Sequence, residues 1–420
     1  MNTKTGQSLN IWLVRMDEIL PCDGENPRLL RMGLIAEIFA SKGHQVTWWC
    51  STLNRFTKEF RYNENKDLRI NENLILKMIH SYRYTKNMSF KRIKHHAREK
   101  RELYNQMLKE QPPDIILSSM PSIEAATTAA KYARKMKVPL FIDVRDTFPD
   151  MYLEFCSKKI RPFLKIGIIP YKLMLAKTLK SAKGIFATSE RFLEWALKYA
   201  KRERQEYDNV YFVSYPDTNI NIENQCYDFW KSQNLSREDF ICCFFGQFGF
   251  TVDIETVLEA ARILYNESVE VKFVICGVGE RLAKLKKSVS DLDNIIFPGW
   301  VDRNHIAALG KLSSAGLMAY RPGNNYEWSM PNKFCEYLAL GITVLLQPTG
   351  VMKEMIDCEK CGIHYKNADE LANAIIQLKK EPQKLQMMKQ NARSLYDKSF
   401  RADITYGKMV DFIEKNYKGV

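Results

Sequence analysis

What this sequence of 420 residues most clearly lacks is a long apolar run. No window reaches the roughly 18 uninterrupted apolar residues of a membrane-spanning helix. The stretch Met1 to Asn10 is polar, and Ile11-Trp12-Leu13-Val14 is too short for the apolar core of a secretion signal. A reduced, cytoplasmic chain is the expectation. It has ten cysteines, but they are scattered, and several lie in apolar runs where a small buried hydrophobe serves. Only Cys358 and Cys361 stand close together, and with no second pair or His cluster beside them they do not read as a metal site. Low-complexity tracts and repeats of roughly 20–50 residues are missing too, which excludes solenoid arrays. With 45% hydrophobic and 27% charged residues, the chain is not disordered either.

What is present in excess is positive charge, and it is unevenly placed. The net charge is +14, yet residues 1–215 carry +15 and residues 216–420 carry −1. Two segments hold much of the excess. Lys86–Arg101 has seven Lys/Arg and one acid, with Phe90, Ile93, Ala97, Tyr104 and Met107 at helical spacing. Ser157–Lys183 has eight Lys/Arg and no acid, interleaved with apolar residues and broken by Pro162 and Pro170. Apolar bulk beside cations suits the boundary of an anionic membrane. The same pattern also describes a solvated helix whose apolar residues face the core.

Short apolar runs alternate with helix-period stretches, the pattern of βα units and parallel sheets. In the first half strands are expected near 10–14, 45–50, 74–79, 114–118, 138–144, 184–189 and 210–214, and in the second near 240–245, 271–276, 294–297, 316–319 and 343–347. Asn26 and Pro27 predict the start of the first helix, and Gly43 its end. The join is expected around Pro216–Ser236. That gives one domain over 1–217, joined by a C-terminal helix at 402–420, and another over 218–401.

Two strands of the second half run into glycine turns, Gly246-Gln247-Phe248-Gly249 and Gly277-Val278-Gly279. Glycines there let backbone amides approach a phosphate, although tight strand-to-helix turns use glycine for steric reasons as well. The sharper element is Ser329-Met330-Pro331-Asn332-Lys333 leading to Glu336 and Gly341. Ser329 reads as the cap, Pro331 as the first turn and Gly341 as the end. Lys333 then stands in the first turn, where a cation opposes the helix dipole unless an anion is bound there. Glu336, one turn on, shares that face and can reach hydroxyls. An anion beside a polyol describes a nucleotide sugar.

These motifs, with Gly33-Leu34-Ile35-Ala36-Glu37 and Lys42-Gly43-His44-Gln45-Val46-Thr47 near the start and Asn294 to Val301 later, resemble glycosyltransferase family 4 over nearly the whole chain. The resemblance implies a GT-B fold, two Rossmann-like doubly wound α/β domains facing across a cleft. It also implies retaining, metal-independent transfer of a hexosyl or N-acetylhexosaminyl group from a nucleotide diphosphate sugar, UDP being the commonest nucleotide, with no other cofactor. On the donor side it would place Glu336 on the ribose, Gly246, Gly249 and the helix start at Asn332-Lys333 around the diphosphate, and Trp300 and Val301 by the base, with Gly277, Gly279 and Ser329 also among the donor-binding residues. On the acceptor side it would place Gly24, Glu25, Asn26 and Arg28 after the first strand and Arg145 and Asp146 after a central one. Asp146, Lys333 and Glu336 would be the catalytic set, unless Asp146 is spent on a loop ion pair with Arg145.

Two departures stand out. Many family members have a second glutamate eight residues before Glu336, where this chain has Trp328, with Glu327 adjacent. Many also have Arg and Lys after the first glycine turn, so Lys333, with Arg281 or Arg321, would have to neutralise the leaving diphosphate. Arg145-Asp146 with Pro149 and Pro331-Asn332-Lys333 look closest to the branch that builds capsule and O-antigen units. The expected partners are a lipid-linked acceptor and an anionic membrane surface met through 86–101 and 157–183, at the inner face of the cell membrane. A nucleotide-sugar epimerase of the same fold and a basic nucleic-acid-binding protein are the alternatives. For the latter, helix-turn-helix, zinc-finger and aromatic-glycine RNA-binding signatures are missing.

Overall fold

The computed structural model describes residues 8–24, 27–85, 89–217, 223–249 and 251–417. The chain divides into two compact units, Met1–Phe212 with Asp403–Val420, and Val213–Ala402. Both are α/β units built on largely parallel sheets.

The first unit contains β1 (Asn10–Val14), α1 (Arg31–Ser41), β2 (Gln45–Ser51), β3 (Lys66–Asn71), β4 (Leu74–Ile79), α2 (Phe90–Met107), β5 (Ile115–Ser119) and α3 (Ile123–Met136). β6 (Leu140–Val144), α4 (Met151–Phe155), α5 (Arg161–Gly167), α6 (Ile169–Lys180), β7 (Gly184–Ala187), α7 (Glu190–Ala200) and β8 (Asn209–Val210) follow. Its eight strands run in the order β3-β4-β2-β1-β5-β6-β7-β8, parallel throughout except for the β3–β4 hairpin. The central strands are buried on both faces, as covered parallel sheets require. Trp12 packs edge-on against Trp49 with ring centroids 5.2 Å apart, and each such buried side chain contributes about 1.5–3 kcal/mol.

The second unit contains α8 (Asn224–Ser232), β9 (Ile241–Gln247), α9 (Ile254–Asn266), β10 (Lys272–Val278), α10 (Leu282–Ser288), β11 (Ile295–Gly299), α11 (Arg303–Leu312), β12 (Ala315–Met318) and α12 (Asn324–Glu327). It continues with α13 (Asn332–Ala339), β13 (Thr343–Leu346), α14 (Val351–Glu359), β14 (Gly362–His364), α15 (Ala368–Lys380) and α16 (Pro382–Ser399); α17 (Ala402–Asn416) then returns to the first unit. Its sheet order, β11-β10-β9-β12-β13-β14, is all parallel and reverses direction between β9 and β12. The first sheet has the corresponding reversal between β1 and β5. Ligands of doubly wound sheets bind beyond the strand C-termini at such reversals.

Several sequence expectations shift. Asn26 lies outside the described residues, and α1 begins not at Pro27 but at Arg31, after Leu30, which supplies no capping side chain. Its start coincides with a tertiary contact: Arg31, in the first turn, reaches Asp143 on β6. Gly43 does close the helix, at φ +86°. Pro162 and Pro170 start helices rather than break them, each standing in a first turn where no intrahelical N–H is needed. β3 escapes a pattern search because it is a polar, largely exposed edge strand.

Candidate functional site

In the second unit the two glycine turns are neighbours in space. β9 and β10 continue through them, pairing Gly246 with Gly277 and Gln247 with Val278. Gly277 has φ +142°, and a Cβ added there would lie 1.8 Å from the Gly246 carbonyl oxygen. A Cβ at Gly279 would meet the Phe248 backbone at 2.9 Å. These two glycines are therefore required for the close approach of the strand ends, whatever they do for a ligand. Gly246 differs: its strand end is exposed, and a Cβ there would lie 3.1 Å from Lys333 Nζ.

Lys333 comes from the first turn of α13. The residue before that helix is Pro331, which has no side-chain acceptor, and the first turn holds no acid. Ser329 is thus not the cap: it is buried two residues further back, and Pro331, expected in the first turn, occupies the boundary instead. Tyr337 fixes the helix against the sheet by donating to the carbonyls of Cys243 and Leu317, at 3.1 and 3.2 Å. With α13 so held, the Lys333 ammonium lies 3.3 Å above the Phe244 ring and 5.0 Å from the Tyr320 centroid. Lys333 and Glu336 are both buried. An uncapped helix start, a lysine and a bare glycine strand end together make a positive, donor-rich spot suited to an anion.

Other cations named for this site are engaged elsewhere. Arg281 donates to the carbonyls of Gly249 and Val252, each at 3.0 Å, and pairs with Glu255. Arg321 reaches the same Glu255 at 3.3 Å. Glu327 accepts from Thr349 Oγ1 at 3.1 Å and packs its carbonyl against Gly350, which ties it to the loop after β13. Trp300, just beyond β11, is 71% exposed and offers an open aromatic face, with Val301 partly buried beside it.

In the first unit, Arg15 and Arg145 each immediately follow a strand, β1 and β6. Arg145 Nη1 donates to Glu18 Oε1 at 3.1 Å, while Asp146 accepts from the Phe148 backbone N–H at 3.1 Å. Arg145 therefore spends its charge on Glu18, not on Asp146. Burial pushes the Asp146 carboxyl above its ordinary value, against the pull of that N–H and of Arg15 and Arg145. Arg15 is 5% exposed, and its Nε and Nη1 have no hydrogen-bond partner among the described residues. Gly24 takes φ +108° in an open turn, Arg28 is half-buried, and Glu25 and Asn26 lie outside the described residues.

Residues 228–395 match the family model described as glycosyl transferases group 1. The match spans most of the second unit, where the glycine turns, Lys333 and Glu336 stand. No curated protein sequence matches the chain. Among solved structures, sucrose-phosphate synthase from Thermosynechococcus elongatus superposes at TM-score 0.72 with 13% identity, over 96% of this chain and 98% of that one. The Anabaena protein HepE, in complex with UDP, gives 0.68 with 12% identity over 97% and 100%. WaaG, a glycosyltransferase involved in lipopolysaccharide biosynthesis, gives 0.65 with 16% identity over 96% and 99%. At these identities the likeness establishes the fold, which is GT-B, and the family match supports a glycosyltransferase.

Arg15 and Glu18 are the residues a motif search passes over. The available signal was positional: Arg15 is the first residue after a parallel strand, beside the reversal of strand order.

Proposed function

We propose that the chain is a retaining, metal-independent glycosyltransferase that moves a hexosyl or N-acetylhexosaminyl group from a UDP-sugar to a lipid-linked saccharide in surface polysaccharide synthesis, at the inner face of the cell membrane. The observation that carries the donor half is the junction of Lys333 Nζ, the Gly246 strand end and the uncapped start of α13. Breaking the sugar–phosphate bond leaves negative charge on the nucleotide diphosphate, and fixed amides plus one lysine stabilise it best where water is scarce. Glu336 would hold ribose hydroxyls and Trp300 would stack on the base. The Anabaena structure's bound UDP favours uridine, and the lipopolysaccharide role printed for WaaG favours a surface saccharide.

On the acceptor half, Arg15, Arg145 and Asp146 would meet the incoming saccharide, and Asp146 would take its hydroxyl proton. A carboxyl raised by burial is the better base for that task. The exposed apolar residues of α5 and α6, Phe163 at 77%, Ile166 at 70% and Leu173 at 67%, support membrane contact over a core-facing reading.

Thermal-shift screening against UDP, GDP, ADP and their sugars tests the donor. The correct nucleotide at 100 times its Kd should stabilise by about 2.7 kcal/mol. Lys333→Ala should lose about 10²–10³ in kcat, and Glu336→Ala should lose nucleotide binding while remaining folded. Wild-type kinetics in either variant would reject the donor site. Turnover of the sugar nucleotide without acceptor, giving an epimer, would favour the epimerase instead.

A further inference from the structure

Away from the strand ends, the first unit has a cavity of about 590 Å³ between α2, α3 and α6. Five cations line it: Lys100 and Arg101 from α2, Lys131 and Arg134 from α3, and Lys177 from α6. No carboxylate lines it, and none of the five forms an ion pair among the described residues. Some other cations of the same unit are matched: Lys77 pairs with Asp67 and Glu110, Lys172 with Asp150, and Arg202 with Asp208. Lys131 rests on the Tyr104 ring, 4.0 Å from its centroid, but five cations without a carboxylate around one concavity repel each other, and an anion is the group that relieves them. Hydroxyls complete the wall. Thr127 Oγ1 lies 3.1 Å from Thr178 Oγ1, and Ser181 stands one turn beyond Lys177.

What lies next to the cavity specifies the anion further. On α6, Ile169, Leu173, Lys177 and Ser181 recur every four residues and so share one face, apolar and exposed at its start, cationic and hydroxylated at its end. α2 repeats the arrangement, with Phe90 at 84% and Ile93 at 56% exposure leading along the helix to Ala97 and Arg101 in the cavity wall. The buried stripe of that helix is instead His95, Glu99, Leu103 and Met107. On both helices an open apolar surface thus runs into an unmatched cationic hollow. A free phosphate compound would use the hollow and leave the apolar surface idle, whereas a lipid uses both.

We propose that this hollow binds the phosphate headgroup of an anionic membrane lipid whose acyl region meets the exposed apolar residues of α2, α5 and α6. The proposal rests on the membrane reading above and deepens it from a general surface attraction to a discrete lipid site.

Flotation of the full chain with phosphatidylcholine vesicles, with and without phosphatidylglycerol, tests it at low salt. Two triple variants remove equal charge: Lys131→Gln/Arg134→Gln/Lys177→Gln in the hollow, and Lys158→Gln/Lys159→Gln/Lys165→Gln on the exposed α5 side. General attraction predicts the same loss from both, about fivefold per charge. The lipid site predicts that the hollow triple loses at least about tenfold more than that, and only on phosphatidylglycerol vesicles. All six residues are at the surface, so both triples should fold, which circular dichroism checks. Equal losses would overturn the lipid site and leave the membrane reading standing. No binding of the wild type to phosphatidylglycerol vesicles would overturn both. Inorganic phosphate that binds the wild type but not the hollow triple, with vesicle binding alike in the two, would assign the hollow to a soluble anion and overturn the lipid proposal.

Discussion

Arg31 and Arg15 are both buried arginines of the same unit, and their surroundings differ completely. Arg31, with no exposed side-chain surface, makes a two-point contact with Asp143, at 3.0 Å from Nε and 2.8 Å from Nη2. Its remaining nitrogen donates to the carbonyls of Tyr211 and Phe212 at 2.9 and 3.0 Å, and its plane stacks 5.1 Å from the Tyr406 ring. That one guanidinium joins α1, β6, the segment after β8 and α17. Asp143 outweighs burial and holds its pKa above the ordinary arginine value. Among the described residues Arg15 has hydrogen bonds at its backbone alone, its N–H donating to Trp49 and its carbonyl accepting from the Trp48 indole. Burial, with Arg145 nearby, moves its pKa the other way. Arg31 is spent on the fold, whereas two nitrogens of Arg15 stay open at a strand end.

The contrast makes its largest prediction at the closed site. Arg31→Met leaves the Asp143 carboxylate buried without its cation and should cost about 3–5 kcal/mol, read as a fall in Tm. Arg31→Lys should recover only part of it, because a lysine cannot reproduce the two-point contact. If Arg31→Met melted with the wild type, closure would not be what distinguishes the two arginines.

A second closed pair tests the same idea through pH. Glu99 is buried on α2 between His95, 3.2 Å away, and His96, 3.5 Å away. Burial alone would raise its pKa, but the two imidazoles beside it outweigh that and hold the carboxyl at about 2, below its ordinary 4.5. Its contribution is therefore complete above about pH 4.5 and is lost as pH falls from there toward 2. His96 shifts the other way: burial lowers its pKa, the bond to Glu99 more than restores it, and its contribution is complete below 6.5 and lost as pH rises through the raised value. The pair should be strongest between these limits. Glu99→Gln should cost about 1–3 kcal/mol within that window and flatten the acid limb of the Tm profile. An unchanged acid limb would count against a charged pair.

Much of this molecule is legible in its sequence, and the reasons for the exceptions are physical. The strands 10–14 and 74–79 end where their apolar runs end, because buried central strands must be apolar. The order Gly246, Gly277, Lys333, Glu336 pointed to one end of one sheet, and the fold brings Gly246 and Lys333 to 3.1 Å for the added Cβ. Misplaced features are those fixed by partners distant in sequence. Arg31 starts α1 beside Asp143, 112 residues away. Phe90 and Ile93 fitted either a membrane boundary or a core face; they are exposed, and the core takes His95 and Glu99 instead because their charges satisfy each other there. Arg145 and Asp146 are adjacent in sequence, but Glu18 takes the arginine. Adjacency along the chain says little about which of several nearby carboxylates an arginine will meet.

The smallest expected effect falls on Arg15 and decides what that residue is for. Among the described residues its Nε and Nη1 make no hydrogen bond, and a buried charge that Glu18 and Asp17 only partly offset is a cost that an apolar replacement of similar length removes. Arg15→Met should therefore change stability by less than about 1 kcal/mol, read as Tm. Transfer should respond instead: the acceptor KM should rise at least about tenfold while donor binding, measured with UDP, stays put. A destabilisation as large as that of Arg31→Met would mean that Arg15 is a closed arginine after all, and the acceptor site would have to be sought around Arg145 and Asp146 without it.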